Sequence, residues 1–155
     1  MSARPMAVPT ELEHLQFAEL MLMLPANWPL RGTAPQSSSN FWPIEWLQRL
    51  AVFPHAYKSW LGVNHTVPNG DPPLPLAPGT EFASFILAPP LTEPKGFDAC
   101  VMPGDKPVWF LTLILLYREE LWFKLERGAD ALSTLLVAAG VTGLVQPGRR
   151  NVAIA

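Results

Sequence analysis

A single cysteine, Cys100, stands among the 155 residues, so no disulfide can close within one chain. That usage suits a reducing cytoplasm. Charge is also scarce: 15% of the residues are charged, the formal net charge is −2, and the only adjacent basic pair is Arg149-Arg150 in the tail. Nothing here makes the basic stripe that nucleic acid requires. The start, Met1-Ser2-Ala3-Arg4-Pro5, lacks the apolar centre of a signal peptide. The longest apolar run, Val108 to Tyr117, is about half of the roughly 20 residues needed to cross a bilayer as a helix. A cytoplasmic chain with neither nucleic acid nor membrane as partner is the expectation.

Catalytic patterns are missing as well. There is no phosphate-binding P-loop, no Gly-x-Gly-x-x-Gly and no Gly-x-Ser-x-Gly around Ser37-Ser38-Ser39. The three histidines are His14, His55 and His65, with no His-x-x-x-His, no His-Glu-x-x-His and no cysteine pair beside them. A metal site needs three or four converging ligands, and only His55 and His65 could be brought near one another by a helix exit. Cys100, between Ala99 and Val101, reads as part of a half-buried strand with no base beside it. Glu119 and Glu120 are neighbours on a helix, so they point apart; solvating the helix and complementing its dipole suffices to explain them. No catalytic residue, metal ligand or cofactor is expected, and the chain reads as a non-enzyme.

What is present is apolar mass and proline. Residues of hydrophobic type make up 49%, against which a disordered chain is not expected. Eighteen prolines exceed ordinary usage by about twofold and call for long irregular connections. The length suits one domain, residues 1–155. Leu15 to Leu24 reads as a strand whose second half is apolar on both faces, as in a central strand. Pro29 to Asn40 reads as a loop. A helix follows, with Asn40 or a neighbour as cap, Pro43 in the first turn, and Ile44, Leu47, Leu50 and Ala51 as its buried stripe; Pro54 ends it. Pro68 to Gly79 holds five prolines and must be a loop.

Strands are expected over Phe82–Ala88, Ala99–Met102 and Val108–Leu116, the last being the strongest. Helices are expected over Arg118–Arg127 and from a cap at Asp130 to Ala139, with Leu132, Leu135 and Leu136 inward. The tail from Val141 is expected to be extended. Strands and helices do not alternate regularly. The fold class is therefore α+β: a mixed or antiparallel sheet covered by about three helices, with long proline-rich loops.

One stretch organises the rest: Trp60-Leu61-Gly62-Val63-Asn64-His65-Thr66-Val67-Pro68-Asn69-Gly70. Gly62 permits a backbone conformation or a close approach that a side chain would forbid. Asn69-Gly70 is a tight-turn signal. Asn64 and His65 then sit on a short extended piece that can aim polar groups at a partner. Of the six tryptophans, Trp60 divides evenly between a core and an interface role, and exposed aromatics of this kind are common binding hot spots. Phe53, Trp60, Asn64, His65 and Asp71 form the candidate partner-binding set; Gly62, Asn69 and Gly70 form the structural turn. Plain backbone capping is the bland alternative for Asn64 and Asp71. On this reading Asn64→Ala spares stability and weakens binding.

The same residues carry a family resemblance. Leu50-Ala51-Val52-Phe53-Pro54-His55, Trp60-Leu61-Gly62 and Asn64-His65-Thr66-Val67-Pro68-Asn69-Gly70 resemble the suppressor of fused domain in its bacterial form. Flanking matches run in the same order: Arg4-Pro5-Met6, Ala18-Glu19-Leu20-Met21, Leu24-Pro25-Ala26-Asn27-Trp28-Pro29-Leu30, Tyr117-Arg118-Glu119-Glu120-Leu121, Lys124-Leu125-Glu126-Arg127-Gly128, Asp130-Ala131-Leu132 and Arg150-Asn151-Val152. The resemblance implies a non-catalytic protein-binding domain, an immunity protein that neutralises a polymorphic toxin by binding it. The alternative is a stand-alone regulator or scaffold without a toxin partner; a small metal-dependent enzyme ranks below both. Eukaryotic relatives restrain a zinc-finger transcription factor through a groove near a Gly-Asp-His turn, to which Val63-Asn64-His65 looks equivalent, with Asn64 in place of the acidic residue. Phe53 falls near a partner-contacting aromatic of those relatives, across a one-residue gap. They have two lobes, whereas this chain has one. The family also has an N-terminal segment with a strand before the match to Arg4-Pro5-Met6. Its apparent lack here leads to the expectation of an open strand edge, remedied by a homodimer, by loop cover or by the tail, the first two being favoured.

Overall fold

The computed structural model describes residues 1–30 and 39–154. Most of the expected loop from Pro29 to Asn40, with Gly32, Pro35, Ser37 and Ser38, lies outside the described residues.

The chain opens with a 3-10 segment, Thr10–Leu15, and a short strand β1, Ala18–Met21. Helix α1, Trp42–Ala56, comes next, then β2 (Thr66–Pro68), β3 (Phe82–Ala88), β4 (Ala99–Met102) and β5 (Lys106–Tyr117). Helices α2 (Arg118–Arg127) and α3 (Ala129–Ala138) precede the tail. The strands form one mixed sheet in the order β1-β5-β3-β2, with β4 pairing β5 on the stretch of its edge that β3 leaves free. Only β1 runs parallel to its neighbour; the other pairings are antiparallel. The fold is α+β in a single domain, as the irregular alternation of elements implies.

Strand β5 is the spine because it can be buried on both faces. Leu111, Leu113, Leu115 and Tyr117 join Trp42, Trp46 and Leu50 of α1 in one apolar cluster. Ile114 and Leu116, from the alternate positions, join Leu132 and Leu136 of α3 in another. A period of two with both sets apolar gives a continuous apolar run, and that run marks a strand with helices on both sides. In β3 the parity changes: Phe82, Phe85 and Leu87 all lie in the α1 cluster, because the register shifts between Phe82 and Ser84. Such a bulge adds one residue and keeps a large side chain on the core side.

Several expectations are corrected. Strand β1 is four residues long and ends the strand order, with buried and half-buried residues alternating, so it is not a central strand. The buried stripe of α1 is Trp42, Trp46, Leu50 and Pro54 rather than Ile44, Leu47 and Ala51. These residues follow the i, i+4 row, and the large indoles reach the sheet where smaller aliphatics one position away do not. Of the cap candidates it is Asn40's neighbour Phe41 that occupies the N-cap, without a side-chain bond. Gly128 caps α3, and Asp130 sits in its first turn. Cys100 is exposed rather than half-buried, because β4 projects from the sheet with only β5 beside it.

Glu120 also departs from a solvated helix face. It is fully buried and meets Arg149 of the tail in a two-pronged ion pair, with Nη1 to Oε1 at 2.7 Å and Nη2 to Oε2 at 2.5 Å. Its carboxylate also accepts the Tyr117 N–H, the reciprocal half of a capping box, and the Val152 N–H. Arg149 Nη2 donates to the Leu115 carbonyl of β5 at 2.7 Å. Met23 pairs in parallel with Leu144, which extends the β1 side of the sheet into the tail. The tail thus pairs with the chain just past β1, one of the three remedies expected for an open edge.

Candidate functional site

The exit of α1 builds the site. Pro54 lies inside the last turn of the helix, where it is buried, and the Ser59 N–H closes back on its carbonyl at 2.9 Å. The chain then reverses and lays Trp60 over Gly62. A Cβ on Gly62 would stand 2.3 Å from the Trp60 ring, so the close approach, and not a special φ, is what requires glycine there.

Gly62 to His65 is a four-residue turn closed by the His65 N–H on the Gly62 carbonyl at 3.1 Å. Asn64, its third residue, has φ +67°, as a type II turn demands, and asparagine tolerates that region. Asn64 is therefore in the left-handed region rather than on an extended piece, which begins only at Thr66. The expectation that Asn64→Ala spares stability is revised accordingly, since alanine carries a strain at this φ that asparagine tolerates. The turn is tied to β3 by two bonds to Leu87: Asn64 N–H donates to Leu87 O at 2.8 Å, and Leu87 N–H to His65 O at 2.9 Å.

Past β2, the Asn69 N–H donates to Ala83 O, and its side-chain amide donates to Pro75 O at 2.6 Å. Asn69 thus anchors the proline-rich loop by its side chain. Gly70, with φ +94°, supplies the positive φ of this turn. The Asp71-Pro72 peptide bond is cis.

These features bring Phe53, Trp60, Asn64, His65 and Asp71 to one open groove of about 700 Å³, with Gly70 at its edge. The five residues come from the end of α1, the turn and the proline-rich loop. Asn64 and Asp71 are exposed, and among the described residues their side chains engage no hydrogen bond. Phe53, Trp60 and His65 are half-buried. Trp60 and His65 pack edge to face, with ring centroids 4.3 Å apart. Burial holds the His65 imidazole below its ordinary pKa; the Trp60 backbone opposes this and the Lys124 charge reinforces it. Lys124 of α2 also lines the groove. Lys124 stands in one of the family matches, but no local pattern puts it in the groove, because its position depends on how α2 packs across the sheet.

His55 is not part of the groove, and His14 lies in the 3-10 segment. Among the described residues no group of three or more His, Cys, Asp or Glu side chains is placed to hold a metal ion. No described helix is long and apolar enough to cross a membrane. The groove offers aromatic surface, the unengaged side chains of Asn64 and Asp71 and the positive charge of Lys124; among the described residues it holds no nucleophile hydrogen-bonded to a base.

Neither the comparison with curated proteins nor that with solved structures gives a match. The family model described as suppressor of fused protein matches residues 1–150, almost the whole chain, and membership is consistent with a protein-interaction domain. By that match, this chain belongs to the suppressor of fused family.

Proposed function

We propose that this domain performs no chemistry and binds a protein through the groove around Trp60, acting as an immunity protein that neutralises a toxin by direct contact. The observation that carries the reading is the convergence of Phe53, Trp60, Asn64, His65 and Asp71 on one open groove. A half-buried aromatic floor with free polar groups on the rim suits a hot spot surrounded by orienting contacts. The partner is a toxin domain encoded beside this gene in the same cytoplasm, and self-association along β4 belongs to the same reading. Strand β4 pairs with β5 alone and exposes Val101 and Met102.

Co-expression with the toxin domain encoded next door tests the proposal. A stable complex on gel filtration is expected, with growth restored to cells making the toxin. Trp60→Ala and Asp71→Ala should weaken both. An intact toxin domain that neither binds nor is neutralised refutes the immunity role and leaves a stand-alone regulator. Stoichiometric zinc in the purified protein, lost on replacing His55 and His65, would overturn the non-catalytic reading.

A further inference from the structure

Beside the Gly62–His65 turn lies a second cavity of about 400 Å³, which shares Trp60 and Leu61 with the groove. It falls within the size range of small-molecule sites. Trp60, Trp109 and Phe110 supply its aromatic walls, and Leu12 and Leu15 of the 3-10 segment close one side. Among the lining residues the only charged side chain is Asp98, and none is basic.

The walls are held in place before any ligand arrives. The Trp109 indole N–H donates to His14 O at 2.8 Å, which ties the 3-10 segment to β5. Trp60 is wedged between Gly62 and His65. The Phe110 N–H donates to Asp98 O at 2.9 Å, and the ring of Phe97, the residue before Asp98, stacks on Phe110 with centroids 5.2 Å apart. Among the described residues the Asp98 carboxylate has no cationic or hydrogen-bonding partner. The Trp60 indole N–H likewise has no acceptor there.

Aromatic faces attract cations through their quadrupole, and a lone carboxylate at an apolar cavity selects the same sign. A neutral hydrocarbon would use the walls and ignore Asp98; an anion would meet it unfavourably. We propose that this cavity binds a small organic ammonium ion, with its apolar body among Trp60, Trp109 and the leucines and its charged end at Asp98. This site does not rest on the toxin reading: Asp98, Trp109 and the leucines of the 3-10 segment line it and not the groove, and the two share only Trp60 and Leu61.

The probes are phenethylammonium, 2-phenylethanol and phenylacetate, which share a phenyl ring and differ in charge. Each is titrated into the nitrogen-15-labelled full chain while the indole N–H signals of the six tryptophans are followed. Saturable shifts confined to Trp60 and Trp109 are expected, with the amine bound roughly fivefold more tightly than the alcohol and the acid weakest, a ratio in keeping with a partly exposed charge pair. Asp98→Asn should bring the amine down to the alcohol while leaving the alcohol unchanged. Leu12→Trp, which fills the cavity, should abolish both. Equal binding of amine and alcohol to the native chain, a preference that survives Asp98→Asn, or shifts that never saturate would each overturn the proposal. Asp98 is exposed, so its conservative variant keeps the test decisive even where Leu12→Trp fails to fold.

Discussion

Arg149→Met should be among the most damaging single substitutions in this chain. Glu120 is 0% exposed and Arg149 7% exposed at the side chain, so the pair sits out of water. Removing the guanidinium leaves a buried carboxylate with only the Tyr117 and Val152 N–H groups as donors, and orphans the Leu115 carbonyl. Breaking one partner of a buried pair costs about 3–5 kcal/mol, because the remaining charge keeps its desolvation penalty without its attraction. The packing of the guanidinium over Tyr117, 5.0 Å from the ring centroid, is lost with it. Against a total stability of about 5–15 kcal/mol, that is a large fraction. With roughly 3 °C per kcal/mol at this size, the melting temperature should fall by about 10 °C.

Pairing Arg149→Met with Glu120→Gln isolates the charge term. Glutamine keeps the shape and removes the charge, although its single amide oxygen can accept from only one of the two N–H groups; the double variant should still be more stable than Arg149→Met alone. Urea unfolding of the four proteins in the cycle measures this directly. Hydrogen exchange at the Val152 amide should rise in Arg149→Met, since that amide is held by the same carboxylate. A cost under about 1 kcal/mol with no coupling to Glu120 would show that the tail is not held by this ion pair.

Gly70→Val should destabilise by about 1–3 kcal/mol through its positive φ, and Gly62→Val by a comparable amount through collision with the Trp60 ring; equilibrium unfolding checks both, and a neutral Gly62→Val would remove the close-approach argument. Asn64→Gly should keep stability within roughly 1 kcal/mol while weakening toxin binding, and unfolding of that variant would make Asn64 a structural cap. Because burial depresses the His65 pKa, the folded state resists protonation: its contribution is present above the unfolded value of 6.5 and is lost as pH falls through the lower folded value. Stability should therefore drop as pH falls below 6.5, as measured by urea midpoints, and His65→Gln should flatten that drop; an unchanged slope would count against it. Self-association along β4 should raise the sedimentation coefficient with concentration and be abolished by Val101→Lys; a strict monomer at high concentration would sink the dimer.

Much of this architecture follows from local chemistry along the chain. The β5 run is apolar at both parities, which only a strand covered on both faces can use, and Arg118–Arg127 ends at a glycine that leaves the helical region. Ala99–Met102 and Phe82–Ala88 were bounded by prolines and glycines that a ladder cannot absorb. The turn at Gly62–Gly70 was legible for the same reason, since positive φ and close approach restrict residue type within a few positions. The five groove residues lie within nineteen positions, Phe53 to Asp71, so a local reading could group them.

Contacts across the sequence were decided by packing alone. Glu120 read as a solvated helix residue because its partner is 29 residues away and no short pattern encodes that distance. Which row of α1 is buried depended on the shape of the sheet beneath it: both rows are apolar, and the sheet selected the one carrying two indoles. Lys124 entered the groove, and Asp98 came to stand with Trp60 and Trp109, through the placement of whole elements. Sequence constrains the backbone where φ, ring closure or periodicity limits the residue. It leaves side chains on separate elements unpaired until burial of both faces of the sheet brings those elements together.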